Sequence, residues 1–316
     1  MGTAINGVIP VMITPFTERG LVDREGLERL VEWYVGHGAS ALFAVCLSSE
    51  MFFLDRAERR DVARIVVETV RGRIPVVVSG HVSDSHEEQA ADLRAVCDIG
   101  ADALILLTNR LETPGKPGTL LERAGQLIET LPGDLPLGLY ECPRPARRLL
   151  TDAELAHFAQ SGRFVLLKDV SCDLATIRRR LTVVAGTPLA ISNANAAIAF
   201  DAIRAGARGF CGIFANFAPD LYRWLLDHGE AQPDLAREIA PVLALGSMCE
   251  AFGYPAIAKL YHQRLSTFGS ACTRSLPGDV RDQVWAIDPL LDNIIAAIDG
   301  ARAKIAAAKT HSRVAA

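Results

Sequence analysis

Eight short apolar runs alternate with longer amphipathic stretches, and this alternation is the feature of the chain that most limits its fold. Each run is apolar except at the last position of some, whereas a strand with one face in water alternates apolar and polar residues. The pattern therefore predicts strands of a parallel sheet that is buried on both faces. The runs begin roughly every 30 residues, at 8–13, 41–45, 75–79, 103–107, 136–140, 164–168, 189–192 and 209–213.

The stretches between the runs carry apolar residues at helical spacing and have recognisable ends. Asp55 is placed to cap one of them, and Gly100 and Gly206 end two others. Strand-then-helix units repeated eight times in about 215 residues predict an α/β fold, a closed (β/α)8 TIM barrel. The alternative is a doubly wound sheet, which is disfavoured because no G-x-G-x-x-G follows the first strand. The predicted helices are 23–37, 55–71, 85–99, 117–131, 152–160, 173–181 and 195–205.

The chain changes character after about Ala218, where the apolar runs stop and only helical patterns follow. We therefore predict two regions. The barrel comprises residues 1–217, and a C-terminal helical region comprises residues 218–316 and packs on the barrel. Its helices are expected at 219–229, 234–252, 255–268 and 280–308.

Charge and hydropathy exclude two classes of partner. The net charge is −4 and no long basic run occurs, so we expect no nucleic-acid partner. The short run Arg178-Arg179-Arg180 is interpreted as the solvated face of a helix. No apolar run reaches the roughly 18–20 residues that span a bilayer, so we expect no membrane partner.

The chain has seven cysteines, widely spaced and without a C-x-x-C pair. Close ligand pairs usually mark metal sites, so we expect no metal and no disulfide framework. A reducing, cytoplasmic location fits this composition. Four cysteines lie near predicted strand ends and are interpreted as small buried hydrophobic residues: Cys46, Cys142, Cys172 and Cys211.

Two residues at neighbouring strand ends have the chemistry of a catalytic pair. Barrel enzymes carry their catalytic groups at the C-terminal ends of the strands, and Lys168 and Tyr140 both end predicted strands. An apolar surrounding favours the neutral form of a lysine amine, which can attack a ketone. A phenol on a strand about 4.8 Å away can move protons for that reaction. The alternatives are a lysine that reaches solvent or pairs with Asp169, and a tyrosine packed at the rim.

Other polar residues near strand ends admit more than one interpretation. Glu141 is expected to bond backbone or solvent rather than substrate, because neighbours alternate across a strand. His81 follows the third strand and is either structural or a substrate contact. Barrels often bind phosphate in the loops after strands seven and eight. A phosphate-bearing substrate is therefore an open alternative, and the residues that would bind it are Asn193, Asn195, Gly209 and Gly212.

Two motifs give the chain a resemblance to a known family. Tyr140-Glu141-Cys142-Pro143 and Leu167-Lys168-Asp169, whose tyrosine and lysine lie 28 residues apart, resemble the Y-x-x-P and I-K-(E/D) strand ends of the dihydrodipicolinate synthase / N-acetylneuraminate lyase family. Cys46-Leu47-Ser48-Ser49-Glu50 lies where that family has G-T/S-T-G-E. The resemblance covers roughly residues 5–270, in order.

The resemblance implies a class I aldolase-type lyase acting on pyruvate or a related 2-keto acid. Lys168 would form the Schiff base and Tyr140 would be the proton shuttle. Ser48 and Ser49 would bind the keto-acid carboxylate, and we expect Asn193 and Cys211 to contact the substrate as well. The protonated imine would act as the electron sink, so no cofactor is expected. Family resemblance also implies a homotetramer or homodimer.

Departures from the family pattern identify a divergent member. Leu47 stands where the family has a relay hydroxyl, Thr108–Leu111 lacks the synthase's interface tyrosine, and Pro145 aligns with its carboxylate-binding arginine. Arg144, Arg147 and Arg148 are possible substitutes for that arginine. These changes argue against authentic dihydrodipicolinate synthase. Three alternatives stay open: a 2-keto-3-deoxy sugar acid dehydratase, a homologue that binds ligand without turnover, and a phosphate-binding isomerase barrel.

Overall fold

The computed structural model describes residues 5–112 and 116–314, and its eight strands form one parallel sheet. The strands are β1 Gly7–Val8, β2 Leu42–Ala44, β3 Val76–Val78, β4 Ala103–Leu107, β5 Leu137–Tyr140, β6 Phe164–Asp169, β7 Ala190–Asn193 and β8 Gly209–Phe210. Their order is β1-β8-β7-β6-β5-β4-β3-β2. A parallel bridge between Val11 and Phe43 joins the first segment to β2 and closes the sheet. The predicted (β/α)8 barrel is confirmed.

Two strands are much shorter than the apolar runs that predicted them. The run at 8–13 gives only the two residues of β1, and Pro10 has no N–H with which to continue the ladder. Pairing resumes at Met12, whose N–H donates to the Phe43 carbonyl at 3.0 Å. The run at 209–213 ends as β8 at Phe210, and a 3-10 helix begins at Ile213. Burial made these runs apolar, but strand pairing covers only part of each.

Helices lie between successive strands and begin where side chains cap them. Asp55 caps α2 by accepting from Glu58 N at 2.8 Å, while the Glu58 carboxylate accepts from Asp55 N at 3.0 Å. The predicted helix 195–205 divides into a 3-10 turn, Ala196–Ile198, and α8. The helices of the barrel are α1 Arg24–Gly36, α2 Arg56–Val70, α3 His86–Cys97, α4 Thr108–Leu111, α5 Leu120–Ile128, α6 Asp152–Gln160, α7 Leu174–Val183 and α8 Ala199–Ala205.

After β8 the described chain contains helices and no strand, as predicted, but the predicted helix 280–308 divides into Val280–Gln283 and Ile287–Val314. The helix α9 packs against β1 and α8, and α10 packs against the turn at 196–198 and against α13. The division of the chain at residues 217 and 218 stays a prediction. The helices of this region are α9 Pro219–His228, α10 Pro233–Gly246, α11 Ala256–Arg264, α12 Val280–Gln283 and α13 Ile287–Val314.

A buried ion pair ties the C-terminal region to the loop after β2. The Lys259 ammonium lies 2.6 Å from the Glu50 carboxylate, and both side chains are at most 1% exposed. The second oxygen of Glu50 accepts from Arg274 N at 2.7 Å and Ser275 N at 2.6 Å, and Lys259 also donates to the Cys272 carbonyl. Burial lowers the pKa of Lys259 to about 8, against the opposing effect of the carboxylate. The bonds made by Glu50 join segments more than 200 positions apart in the sequence.

We expect Lys259→Met to lower the free energy of unfolding by about 3–5 kcal/mol, because it leaves a buried carboxylate without its counter-ion. Chemical denaturation monitored by circular dichroism measures this change. The matched control is Lys304→Met, whose ion pair with Glu238 is more than half exposed on both sides and should contribute less than about 1 kcal/mol. Equal effects of the two substitutions would contradict the structural role of the buried pair.

Candidate active site

Lys168 and Tyr140 are direct partners in the pairing of β5 with β6. Partners in a parallel ladder face the same side of the sheet. The Lys168 ammonium nitrogen lies 4.1 Å from the centroid of the Tyr140 ring and 5.7 Å from that of Phe43. Because Phe43 belongs to β2, across the barrel, these contacts place the amine and the phenol inside the barrel at its C-terminal end. Lys168 is 5% exposed and Tyr140 is 2% exposed.

The Tyr140 phenol lies beside Lys168 among buried thiols. Burial raises the pKa of Tyr140 well above its usual range, and the nearby Cys142 and Cys46 thiols add to the shift. Burial likewise raises the pKa of Cys142, and it raises the pKa of Cys211 to about 12 although the Lys168 charge opposes this. At neutral pH the lysine therefore faces a protonated phenol and protonated thiols. Such groups can donate hydrogen bonds and hold protons without pairing with the amine as carboxylates would.

Ser48 and Ser49, in the turn after β2, have different partners. The Ser49 hydroxyl donates to the Met12 carbonyl at 2.6 Å and accepts from Cys46 N at 3.1 Å, so it holds the turn together. The Ser48 hydroxyl contacts the phenol of Tyr254. Burial raises the pKa of this phenol, and the hydrogen bond with Ser48 opposes that shift. Asn216 Nδ2 donates to the same phenol oxygen at 2.8 Å. Tyr254 was missed by sequence reasoning, since it belongs to the C-terminal region and not to a strand end.

Asn193 and Cys211 differ in where their side chains lie. Asn193 pairs with Asp169 and with Phe210 along the sheet. Phe210 stacks on Tyr222 of α9, so this row of residues faces the helix layer. The amide of Asn193 donates to the Asn195 carbonyl at 2.7 Å and accepts from Asn195 N at 3.0 Å, closing a local turn. The Cys211 thiol instead lies near Lys168 and Tyr140.

Arg180 is buried, and its interpretation as part of a solvated helix face is wrong. Its guanidinium, 1% exposed, bonds both oxygens of Glu141, at 2.9 and 2.5 Å, and also bonds Asp169. Glu141 accepts in addition from Leu150 N at 2.8 Å and Val170 N at 3.2 Å. Since Glu141 follows Tyr140 and Asp169 follows Lys168, this Arg180 bridge joins the ends of the two strands on their outer face. Glu141 bonds backbone, as predicted, but a buried arginine is its main partner.

The remaining candidates have structural partners. His81 accepts from Leu107 N through Nε2 at 2.6 Å, and burial lowers its pKa to about 4, so the ring is neutral and serves the fold. Arg148 is paired with Glu112 at 2.8 Å and with Glu154 at 2.6 Å. The other two arginines considered as substitutes for the family's carboxylate ligand, at 144 and 147, are exposed.

Three of the four cysteines near strand ends are buried, as predicted, but Cys172 is exposed because it lies in the turn after β6 at a φ of 59°. Within residues 5–112 and 116–314, no group of three or more His, Cys, Asp or Glu side chains is arranged to hold a metal ion. Over the same residues, no helix has both the length and the apolar character that crossing a bilayer requires.

Comparison with known proteins decides the family. A family model described as the Dihydrodipicolinate synthetase family matches residues 4–246. The chain belongs to this family. It is 30% identical over 213 residues to the 4-hydroxy-tetrahydrodipicolinate synthase of Methanothrix thermoacetophila, an alignment that spans 67% of this chain and 70% of that protein. Membership of the dihydrodipicolinate synthetase family confirms the resemblance seen in the sequence and makes the chain an enzyme of the lyase class, of the aldolase type.

Solved structures show the same fold over nearly the whole chain. Dihydrodipicolinate synthase from Acinetobacter baumannii, complexed with pyruvate, superimposes with a TM-score of 0.81 at 23% identity and covers 94% of this chain and 99% of that one. CdNal from Clostridium difficile, in complex with mannosamine, has a TM-score of 0.82 at 15% identity and covers 93% and 99%. The dihydrodipicolinate synthetase family fold thus includes the C-terminal helices as well as the barrel.

We expect Arg180→Gln to lower the free energy of unfolding by about 3–5 kcal/mol, because it leaves two neighbouring carboxylates buried without a counter-ion. Arg178→Gln, an exposed change on the same helix, is the matched control and should stay within about 0.5 kcal/mol. Urea denaturation compares the two variants. A near-neutral result for Arg180→Gln would show that the carboxylates do not need the guanidinium.

Proposed function

We propose that this protein is a lyase that forms a Schiff base between Lys168 and pyruvate or a related 2-keto acid. The observation that carries the proposal is the pairing of β5 with β6, which sets the amine 4.1 Å from the Tyr140 ring in a buried barrel end. Schiff-base chemistry needs an amine that is shielded from water and a group that moves protons beside it. The buried position of Lys168 and the adjacent Tyr140 phenol support the proposal on both counts.

The proposed reaction follows from the chemistry of the pair. The neutral Lys168 amine attacks C2 of the keto acid, and loss of water from the carbinolamine gives an iminium. The iminium withdraws electrons from the neighbouring carbon, which permits carbon–carbon bond cleavage or formation without a bound cofactor. The Tyr140 phenol transfers the protons, and its raised pKa keeps it protonated until a base forms next to it. Ser48, in the turn after β2, binds the carboxylate of the keto acid.

The departures from the family pattern bear on the second half of the substrate. Leu47 carries no hydroxyl and Pro145 carries no charge. Arg148 forms ion pairs with Glu112 and Glu154. Position 145 therefore carries no cation where the synthase has its carboxylate-binding arginine, which argues against authentic dihydrodipicolinate synthase. The pyruvate named for the related Acinetobacter baumannii structure supports the keto-acid half of the proposal.

A dehydratase acting on a 2-keto-3-deoxy sugar acid would use the same Lys168 and Tyr140, and product analysis separates the two reactions. Release of pyruvate marks cleavage, whereas loss of water with the carbon chain intact marks dehydration. Assembly as a homodimer or homotetramer and a cytoplasmic location stay predictions.

We expect sodium borohydride, added with pyruvate, to reduce the imine and leave a covalent adduct on Lys168. Tryptic peptide mass spectrometry locates the adduct. Lys259, which is buried in an ion pair, and the exposed Lys304 serve as internal controls that should stay unmodified. Lys168→Met should fold normally and give no adduct. Absence of an adduct with every member of a panel of 2-keto acids, in a folded sample, would reject the proposal.

We expect Tyr140→Phe to slow turnover by more than about tenfold, because positioned acid–base groups typically contribute 10²–10⁴ to the rate. Removing the buried hydroxyl preserves the ring beside Lys168, so imine trapping at long times should still reach completion. Steady-state turnover and the time course of trapping are measured on the same preparation. A near-normal turnover number would exclude the phenol from the reaction.

A further inference from the structure

We propose that Ser192, at the end of β7, is a further catalytic residue whose hydroxyl donates a hydrogen bond to the adduct between Lys168 and the substrate. This inference rests on the proposed function, because the adduct is its acceptor. It is carried by two independent observations on Ser192: the position that the strand pairing gives it, and a buried hydroxyl that has no partner in residues 5–112 and 116–314.

The sheet places Ser192 beside the lysine and on the same face. Lys168 pairs directly with Ser192, and Ser192 pairs with Gly209 of β8. Tyr140, Lys168 and Ser192 therefore form one row of side chains directed into the barrel, across three adjacent strands. The Asn193 row, one residue further, faces the helices.

The surroundings of Gly209 locate the Ser192 hydroxyl. A Cβ atom at that position would stand 2.6 Å from Ser192 Oγ and 2.5 Å from the Gly7 carbonyl oxygen. A side chain at 209 would point into the barrel, so Ser192 Oγ occupies the inner space that the glycine leaves open. The glycine allows β8 to pack closely here while the hydroxyl stays on the inner face, in the row that contains Lys168.

The hydroxyl has no hydrogen-bond partner among the residues that the structure describes, although Ser192 is fully buried. Other buried hydroxyls near the barrel end are bonded. Thr14 donates to the Ser49 carbonyl at 2.9 Å, and Ser79 donates to the Val45 carbonyl. A buried polar group without a partner costs stability. A hydroxyl retained at that cost next to the reacting amine is suited to an acceptor that arrives with the substrate.

The chemistry of imine formation supplies that acceptor. When the nitrogen lone pair of Lys168 forms the bond to C2, the two π electrons of the carbonyl move to its oxygen, which becomes negatively charged. Ser192 donates to this oxygen and keeps its own proton. The oxygen then takes one proton from the ammonium and a second from the Tyr140 phenol and leaves as water, while the nitrogen lone pair completes the C=N bond. A hydrogen bond made only after attack lowers the barrier rather than tightening ground-state binding.

The test compares Ser192→Ala with the matched Ser79→Ala, using urea denaturation without ligand and rapid-quench borohydride trapping with pyruvate. Ser192→Ala should unfold at the same or a higher urea concentration than the parent protein, because it removes an unpartnered hydroxyl. Its rate of imine formation should fall by at least about tenfold, with Kd for the keto acid changed much less. Ser79→Ala loses a real bond and should unfold at a lower urea concentration. Ser192→Cys, which keeps a weak donor, should recover part of the rate.

Each failure has its own signature. A parent protein that traps pyruvate on Lys168, with Ser192→Ala trapping at the same rate, overturns the role of Ser192 and leaves the proposed function intact. A Ser192→Ala protein that is clearly less stable than the parent also overturns it, because the hydroxyl then has a structural bond. A parent protein that gives no adduct overturns the proposed function and, with it, this inference.

Discussion

The register of β5 against β6 is the constraint on which the rest of the site depends. Pairing Tyr140 with Lys168 puts a phenol and an amine on one face, and sheet closure turns that face inward. A slip of either strand by one residue would send its member of the pair into the helix layer, because strand side chains alternate. The Arg180 bridge supports this register from the other face, where Glu141 and Asp169 share one guanidinium.

The polar groups on the two faces of the strand ends thus differ in their partners. On the outer face the charges are paired and Glu141 is bonded to backbone, which fixes the geometry. On the inner face the Tyr140 phenol and the Cys142 and Cys211 thiols stay protonated, and the Ser192 hydroxyl has no hydrogen-bond partner among the described residues. Arg180 Nε and the Tyr222 hydroxyl also lack a partner among those residues, so it is the row shared with Lys168 that distinguishes Ser192.

The sequence predicted the barrel, the C-terminal helices and the lysine–tyrosine pair, because each depends on local pattern or on strand order. Eight buried runs and the rule that catalytic groups end barrel strands were enough for these. Arg180 was misjudged because the spacing of residues along a helix does not show that the ends of β5 and β6 place two carboxylates beside it. Tyr254 was missed because it reaches Ser48 from a segment more than 200 residues later, a contact that only the packed tertiary structure brings about. Ser192 and Asn193 are adjacent in sequence, and only register distinguishes the inward side chain from the outward one.

The C-terminal region acts on the site through contacts that local pattern cannot show. Lys259 and the backbone at 274 and 275 hold Glu50, whose φ of 59° ends the turn that carries Ser48 and Ser49. Tyr254 then contacts the Ser48 hydroxyl directly. A leucine at 47 cannot provide a hydroxyl to this turn, but a phenol from the C-terminal region does. The turn after β2 is therefore held jointly by the barrel and by residues of the C-terminal region.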